Sequence, residues 1–314
     1  MSMNIFGINT KEKEAAIALI PVPWEVTTSY GNGTADGPKI IERASHQVDL
    51  WDSTFENIVE QKGVFMFSEN NTIRELNDKL KPKALDSVNE VNSASERVNE
   101  LVYRKAKDNL EKNKVVGVVG GDHSSPLGLI KAITEKYTND YGVLHFDAHA
   151  DLRKQYQGFS HSHASIMYNV MTAPFAPKKL VQVGIRDFCE EELARIKKSE
   201  GKIKTFFDDA LSEKKFSGTT WETITDTIVM ELPNNIYISF DIDGLDPNLC
   251  QGTGTPVPGG LSFNECSYFF KKLFAAKKKI IGFDLCEVSG SEWDANVGAR
   301  VLFKLCGLTL ATNF

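Results

Sequence analysis

The chain alternates between short apolar runs and helical patterns along most of its length. The apolar runs are rich in Ile, Val and Phe and show little polar alternation, which is typical of strands covered on both faces. They predict strands at Ala16–Ile20, Val64–Phe67, Val115–Val119, Gly142–Phe146, Leu180–Gly184, Ile203–Phe207, Ile236–Phe240 and Ile280–Asp284.

The segments between these runs predict helices. Apolar residues from Val88 to Leu110 recur at three- and four-residue steps or their multiples, which forms an amphipathic stripe. Ser262 and Glu265 form a capping-box pattern before another apolar run. Because strands and helices alternate, we expect a three-layer α/β/α sandwich with a mostly parallel, roughly eight-stranded sheet. No repeat, low-complexity tract or linker divides the sequence, so we expect a single domain over residues 1–314.

Composition narrows the class of protein. Hydrophobic residues make up 41% and charged residues 25% of the chain, the balance of an ordinary globular protein. A net charge of −6 argues against nucleic acid as the main partner, since phosphate binding needs a basic surface. The five cysteines are scattered and form no C-x-x-C pair, which predicts reduced thiols. No signal-peptide layout or apolar span of roughly 18 residues is present, so we expect a cytoplasmic protein without a membrane partner.

Four polar segments stand at the carboxyl ends of predicted strands, where open α/β sheets bind their ligands. They contain Asp122 and His123; Asp147, His149 and Asp151; Asp241, Asp243 and Asp246; and Asp284 and Glu287. Alternate residues of an extended segment point the same way, so the D-x-H-x-D spacing aims two carboxylates and an imidazole at one point.

Clustered carboxylates repel one another, and a cation between them removes that repulsion. Two histidines and four aspartates form a mixed N/O set without thiolates, which suits Mn²⁺ and leaves Zn²⁺, Fe²⁺ or Co²⁺ open. Six ligands are too many for one tetrahedral site. They suit two metals that share bridging carboxylates and hold a hydroxide nucleophile.

These segments carry a family resemblance. The sequences GGDHS at 120–124, FDAHAD at 146–151 and SFDIDGLDP at 239–247 resemble the three signatures of the arginase/agmatinase (ureohydrolase) family. The segment after Pro21 and the loop GTGTPVPGG at 252–260 are similar in style to agmatinases in particular. The resemblance runs from about Pro21 to Glu287.

The resemblance implies a dinuclear site and roles for its neighbours. One metal would be bound by His123, Asp147, Asp151 and Asp241, and the other by Asp147, His149, Asp241 and Asp243, so that Asp147 and Asp241 bridge. Glu287 would bind the substrate guanidinium, His163 would shuttle protons, and Asp151 would help to stabilise the tetrahedral intermediate.

The implied reaction is cleavage of a guanidino group to an amine and urea by two Mn²⁺ ions per subunit, with agmatine giving putrescine and urea. The same chemistry on guanidinobutyrate, guanidinopropionate, guanidine, arginine or formimidoylglutamate stays open. A deacetylase-like amidohydrolase of acylated amines and a non-catalytic binding protein are alternatives from other classes. Family resemblance also implies a homo-oligomer, either a trimer or a hexamer.

Several positions leave alternatives. Arginases have an Asn-bearing segment after D-x-H-x-D, whereas this chain has Leu-Arg-Lys-Gln from 152, which disfavours L-arginine. Arg153 is a candidate either for contacting a substrate carboxylate or for a structural ion pair. His161 competes with His163 as the proton shuttle. His145 is interpreted as a packing histidine, one residue off the metal-facing parity, and Asp284 as an orienting group or a strand-end cap.

Overall fold

The computed structural model describes residues 4–174 and 176–314. The predicted domain 1–314 therefore includes four positions that lie outside the described residues. The strands are β1 (Ile17–Val22), β2 (Val64–Met66), β3 (Val115–Gly120), β4 (Gly142–Phe146), β5 (Lys179–Ile185), β6 (Ile203–Phe207), β7 (Asn235–Asp241) and β8 (Lys279–Cys286). The helices are α1 (Gly37–Ser45), α2 (Ile58–Lys62), α3 (Asn71–Leu80), α4 (Val88–Glu111), α5 (Leu127–Tyr137), α6 (Ile166–Thr172), α7 (Glu190–Lys198), α8 (Asp208–Phe216), α9 (Trp221–Met230), α10 (Phe263–Ala275) and α11 (Glu292–Asn313).

All eight predicted strands are present, and β4 and β6 have the predicted bounds. They form one sheet in the order β2-β1-β3-β8-β7-β4-β5-β6. Every strand pair is parallel. Parallel neighbours need a crossover connection, and most of the crossovers here contain helices. The predicted fold class is confirmed.

The helices form where the sequence signals predict them. In α4, Val91, Val98, Val102 and Leu110 are buried at helical spacing. At the start of α10, the Ser262 and Glu265 side chains each accept a hydrogen bond from the other residue's backbone amide, so the predicted capping box is confirmed.

The sheet is covered on both faces by separate apolar clusters. Val119 packs in the cluster that includes residues of α10 and α11, whereas its neighbour Val118 faces the cluster built from α4 and α5. This alternation explains why the strands read as continuous apolar runs rather than as polar–apolar repeats. Within the described part of the chain, none of the helices has the combination of length and apolarity that crossing a bilayer requires.

Candidate metal centre

The predicted ligand residues converge at the carboxyl edge of four central strands. His123 follows β3, Asp147 follows β4, Asp241 ends β7, and Glu287 follows β8. These strands are consecutive in the sheet, in the order β3-β8-β7-β4. Segments that are far apart in sequence therefore present their polar ends at one place, as expected for ligand sites of parallel sheets.

A first group of side chains surrounds the ring of His123. Its Nδ1 atom lies 2.9 Å from Asp147 Oδ2, 3.1 Å from Asp151 Oδ2 and 3.3 Å from Asp241 Oδ2. All four residues are buried. They are the residues that the sequence predicts for one of the two metals.

A second group shares Asp147 with the first. His149 Nδ1 lies 3.1 Å from Asp243 Oδ2 and 3.4 Å from Asp147 Oδ1. Asp147 thus turns one carboxylate oxygen to each group, which is the arrangement of a bridging ligand. Asp241 directs Oδ2 to the first group, while its Oδ1 accepts a hydrogen bond from the Asp243 backbone amide at 2.9 Å.

The donor set fits a cation. His123 Nδ1 is buried and has no hydrogen-bond partner among the described residues. Burial alone would lower the pKa of His123, but Asp147, Asp151, Asp284 and Asp241 together hold it well above its ordinary value. Ligand atoms that each lie about 2.1 Å from one metal ion are roughly 3 Å apart, close to the 2.9–3.3 Å found around Nδ1. A divalent cation would therefore satisfy these carboxylates without a proton on Nδ1.

The opposite nitrogen of His123 is held by a chain of buried hydrogen bonds. Ser239 Oγ donates to Asp284 Oδ1 at 3.2 Å, and Asp284 also accepts from the Tyr237 hydroxyl at 2.7 Å. Because Ser239 has one hydroxyl proton, its contact with His123 Nε2 at 2.9 Å must be a hydrogen bond that the ring donates. This leaves the lone pair of Nδ1 directed at the first group. Asp284 thus lies behind His123, where one of its two predicted roles, the orienting one, would place it.

His145 is a buried neighbour of Asp147 that the sequence reasoning did not place in the cluster. Its interpretation as a packing histidine agrees with its burial and its two ring partners, but the argument that it is off the metal-facing parity is wrong. Residues 145 and 147 are two positions apart and therefore face the same side of the strand. His145 Nε2 lies 2.8 Å from Asp147 Oδ2, and both side chains are fully buried. Extending the two-residue period backwards from Asp147 would have found it.

The backbone of the site segments is less regular than the expected extended geometry. Asp151 has a φ of 53° and Glu287 a φ of 66°, in the left-handed region that non-glycine residues rarely adopt. Asp243 lies in a 3₁₀ turn, Ile242–Gly244, beyond the end of β7. The assumption of an extended D-x-H-x-D segment is therefore wrong at Asp151, although its side chain still reaches the site. Such strained conformations cluster at functional sites.

Glu287 offers a free carboxylate oxygen inside the site. Its Oε1 accepts a hydrogen bond from the His123 backbone amide at 3.0 Å, while Oε2 is buried without a hydrogen-bond partner among the described residues. A Cβ atom at Gly254 would overlap Oε2, so a larger residue there would displace the Glu287 carboxylate. Burial, followed by the charges of Asp122 and Asp243, raises the pKa of Glu287 well above its ordinary value. A cationic group placed against Oε2 would stabilise the ionised form.

A short chain of hydrogen bonds ties the His163 segment to the metal-site loop. The Thr27 hydroxyl donates to Asp122 Oδ2 at 2.8 Å and accepts from the His163 backbone amide at 3.0 Å. Asp122 Oδ1 accepts from the Ser124 backbone amide at 3.0 Å. Both oxygens of Asp122 are thus occupied by protein donors, as expected for a residue that does not bind the metal directly.

A cavity of about 250 Å³ opens over the two groups. Its lining includes Tyr30, His149, Asp151, Arg153, His163 and Asp187. His163 belongs to this lining and His161 does not; the His161 ring instead contacts Ser160 Oγ at 3.3 Å. Burial and, after it, the ring of His149 lower the pKa of His163 to about 4, so its ring is neutral at pH 7. Of the two candidate shuttles, His163 has the better placement.

The charges at the cavity entrance are unequally compensated. Arg153 Nε lies 3.7 Å from Glu192 Oε2, and that buried carboxylate also accepts hydrogen bonds from the Leu152 and Cys189 amides. Asp187, by contrast, has a side chain that is 67% exposed, with His149 Nε2 at 3.8 Å as its ion-pair contact. Arg153 therefore lies beside a buried carboxylate, whereas Asp187 is largely exposed at the entrance, with His149 at a similar distance.

Comparisons with known proteins agree with this geometry. Residues 15–307 match the sequence model of the Arginase family. The chain is 30% identical to an N(1)-aminopropylagmatine ureohydrolase of Synechocystis sp., covering 95% of this chain and 90% of the relative. It is 31% identical to an N(1)-aminopropylagmatine ureohydrolase of Thermus thermophilus, covering 97% and 94%.

Among solved structures, the agmatine ureohydrolase of Thermoplasma volcanium superposes with a TM-score of 0.77 at 19% identity, covering 99% of this chain and 95% of the other. That likeness confirms the fold. The family match covers the four central strands and every residue of the two side-chain groups. The chain therefore belongs to the arginase family and is a metal-dependent hydrolase of guanidino compounds.

Proposed function

We propose that this protein cleaves agmatine with water to putrescine and urea, with two Mn²⁺ ions bound by His123, Asp147, His149, Asp151, Asp241 and Asp243. The observation that carries the proposal is the pair of side-chain groups that share Asp147, with the unpartnered Glu287 Oε2 buried in the same site. An all-N/O donor set without thiolates supports manganese.

Two bound divalent cations would supply a water-derived nucleophile at neutral pH. Glu287 binds the guanidinium through charge-assisted hydrogen bonds to Oε2, which fixes the carbon to be attacked. During the reaction a carbon–oxygen bond forms, the bond from carbon to the alkyl-bearing nitrogen breaks, and that nitrogen leaves as an amine. Asp151 helps to stabilise the tetrahedral intermediate.

His163 is the proposed proton shuttle. Its Nδ1 contacts Ser162 Oγ at 3.3 Å, which leaves Nε2 for exchange with the cavity. A ring that is neutral at pH 7 can take up a proton and pass it to the leaving amine, a role that general acid–base catalysis requires.

The entrance supports a substrate without an α-carboxylate. Arg153 lies beside Glu192, which compensates part of its positive charge and weakens its attraction for a substrate carboxylate. It still lines the cavity, and we propose that it contacts the substrate chain there. The exposed carboxylate of Asp187 favours a distal ammonium group, as in agmatine. The same charge suits N(1)-aminopropylagmatine, the second candidate, which is named for the Synechocystis and Thermus relatives.

A substrate panel tests the proposal. Purified Mn²⁺-loaded protein is assayed for urea release from agmatine, N(1)-aminopropylagmatine, L-arginine, 4-guanidinobutyrate, 3-guanidinopropionate and guanidine, and for formamide release from formimidoylglutamate. Asp147→Asn protein is the control. We expect the decarboxylated amines to be the best substrates. Turnover of another compound in the panel keeps the chemistry and replaces the substrate. No turnover of any compound by protein that holds two metals contradicts the proposal and favours hydrolysis of acylated amines.

A single ureohydrolase domain over residues 1–314, a trimeric or hexameric assembly and a cytoplasmic location stay predictions. Size-exclusion chromatography with light scattering tests the assembly.

A further inference from the structure

A row of polar side chains crosses the interior of the sheet directly behind the metal centre. Its members are paired in register across five neighbouring strands: Asp284 on β8, Ser239 on β7, His145 on β4, Gln182 on β5 and Thr205 on β6. Strands of this kind are normally apolar, and burying polar groups costs free energy unless each finds a partner. This polar row therefore needs an explanation other than packing.

The orientation of the Gln182 side-chain amide is fixed by its partners. Its Nε2 lies 2.8 Å from the backbone oxygen of Ala150, which can only accept a hydrogen bond. The nitrogen must therefore be on that side, and Oε1 accepts from the Thr205 hydroxyl at 2.9 Å. The second proton of the amide nitrogen is left for His145 Nδ1, at 3.0 Å.

This arrangement determines where the proton of the His145 ring lies. Because an amide N–H donates to Nδ1, that nitrogen must present a lone pair, and the ring proton must be on Nε2. Nε2 lies 2.8 Å from Asp147 Oδ2 and donates to it. The nitrogen that faces the metal centre therefore has no lone pair for a cation, although His145 lies among side chains that could hold one.

We propose that Gln182 and His145 are positioning residues for the metal centre, in which Gln182 holds His145 as the Nε2–H tautomer and His145 holds the carboxylate of Asp147. The inference rests on the metal centre proposed above. With Oδ2 fixed by His145, Oδ1 of Asp147 faces His149 and the second group. The shared ligand is thus oriented before any metal binds, and this increases metal affinity.

Nitrogen NMR of protein labelled with ¹⁵N-histidine tests the tautomer directly, since a bare ring nitrogen and a protonated one give distinct signals. The His145 signals are identified by their absence in His145→Gln protein. In the metal-free wild type we expect a bare Nδ1 and a protonated Nε2. Loading with diamagnetic Zn²⁺ should leave Nε2 protonated. A protonated Nδ1, or a metal-bound Nε2, would overturn the inference.

Metal affinity tests the positioning role. Replacing His145 by Phe removes the donor to Asp147, and we expect Mn²⁺ affinity to fall by about 10–100-fold. His145→Gln restores an N–H at the position of Nε2 and should recover most of the affinity. Gln182→Met should weaken binding and reduce the preference for the Nε2–H tautomer, which Asp147 alone would then select. Wild-type affinity in His145→Phe protein contradicts the proposal.

Two controls separate positioning from a general loss of buried hydrogen bonds. Tyr141 lies just before β4, the strand that contains His145, and its buried hydroxyl contacts Thr134 Oγ1 at 2.7 Å. Tyr141→Phe removes this hydroxyl and should leave metal affinity unchanged. Thr205→Val should leave the tautomer unchanged, because Ala150 alone fixes the Gln182 amide. Neither readout uses a substrate, so the inference survives or fails independently of the proposed reaction, and wild-type spectra test it even where a variant does not fold.

Discussion

The polar row and the cavity entrance differ in how far their polar groups are buried and paired. In the polar row, Asp284, Ser239, His145 and Gln182 are fully buried, and their contacts assign each proton to one atom. At the entrance, Asp187 is largely exposed and carries a charge that no lysine or arginine of the described residues pairs with. The interior thus fixes the geometry of the metal ligands, whereas the entrance presents charge to whatever substrate arrives. We infer that the first region determines the chemistry and the second the choice of guanidino compound.

The largest expected effect follows from the one residue that both side-chain groups share. Asp147→Asn should remove both metals and reduce urea release by on the order of 10⁴-fold, the size of loss seen when a group acts as part of a catalytic unit. Elemental analysis gives the metal content alongside the rate. Retention of two metals per chain would contradict the bridging role assigned to Asp147.

Glu287→Gln should separate substrate binding from metal binding. The substitution keeps the size of the side chain but removes the charge opposite the guanidinium, and we expect kcat/KM to fall roughly 10²–10³-fold, as for the loss of one partner of a buried charge pair. Metal content should remain that of the wild type. If kcat/KM barely changes, the guanidinium is bound elsewhere.

His163→Gln should alter the pH dependence of stability in the metal-free protein. The ring has a pKa of about 4 when folded against an ordinary value of 6.5, so it favours the folded state fully above pH 6.5. That contribution is lost as pH falls from 6.5 towards 4. By pH 4 the free energy of unfolding has fallen by about 3 kcal/mol on account of this ring. Urea unfolding at several pH values should show a smaller acid-side loss for the variant. Parallel curves for the two proteins would argue against a buried, neutral His163.

The smallest expected effect lies at the entrance. Asp187→Asn should raise the KM for agmatine about tenfold, because a hydrogen bond to a charged group is lost at an exposed position. The value for guanidine, which has no distal ammonium, should not change. Arg153→Gln is the matched control, and it should alter the agmatine KM by about twofold or less, since the carboxylate of Glu192 lies beside this charge. Equal effects of the two substitutions would contradict the different roles assigned to the two entrance charges.

Much of the site could be predicted from sequence because its polar residues come just after parallel strands, and each strand is recognised from a short stretch of the chain. An apolar run that ends in Asp or is followed within a few residues by Asp or His places that side chain at the ligand-binding edge, and His123, Asp147 and Asp241 follow this rule. Asp151 and Asp243 lie in the predicted cluster of side chains, but their backbone geometry differs from the expected one. A left-handed residue and a 3₁₀ turn depend on contacts between segments, which periodicity does not encode.

The sequence by itself determined the strand–helix alternation, the parallel sheet and the set of acidic and imidazole groups at its edge, because each of these depends on residues close together in the chain. The tertiary structure alone decided how the strands are ordered, and hence that Gln182 stands beside His145 and Thr205. It also decided that Glu192 lies beside Arg153 while Asp187 stays free of a lysine or arginine partner in the described structure. These pairings depend on strand order and on distances across the fold, and neither is specified by any short segment of the sequence.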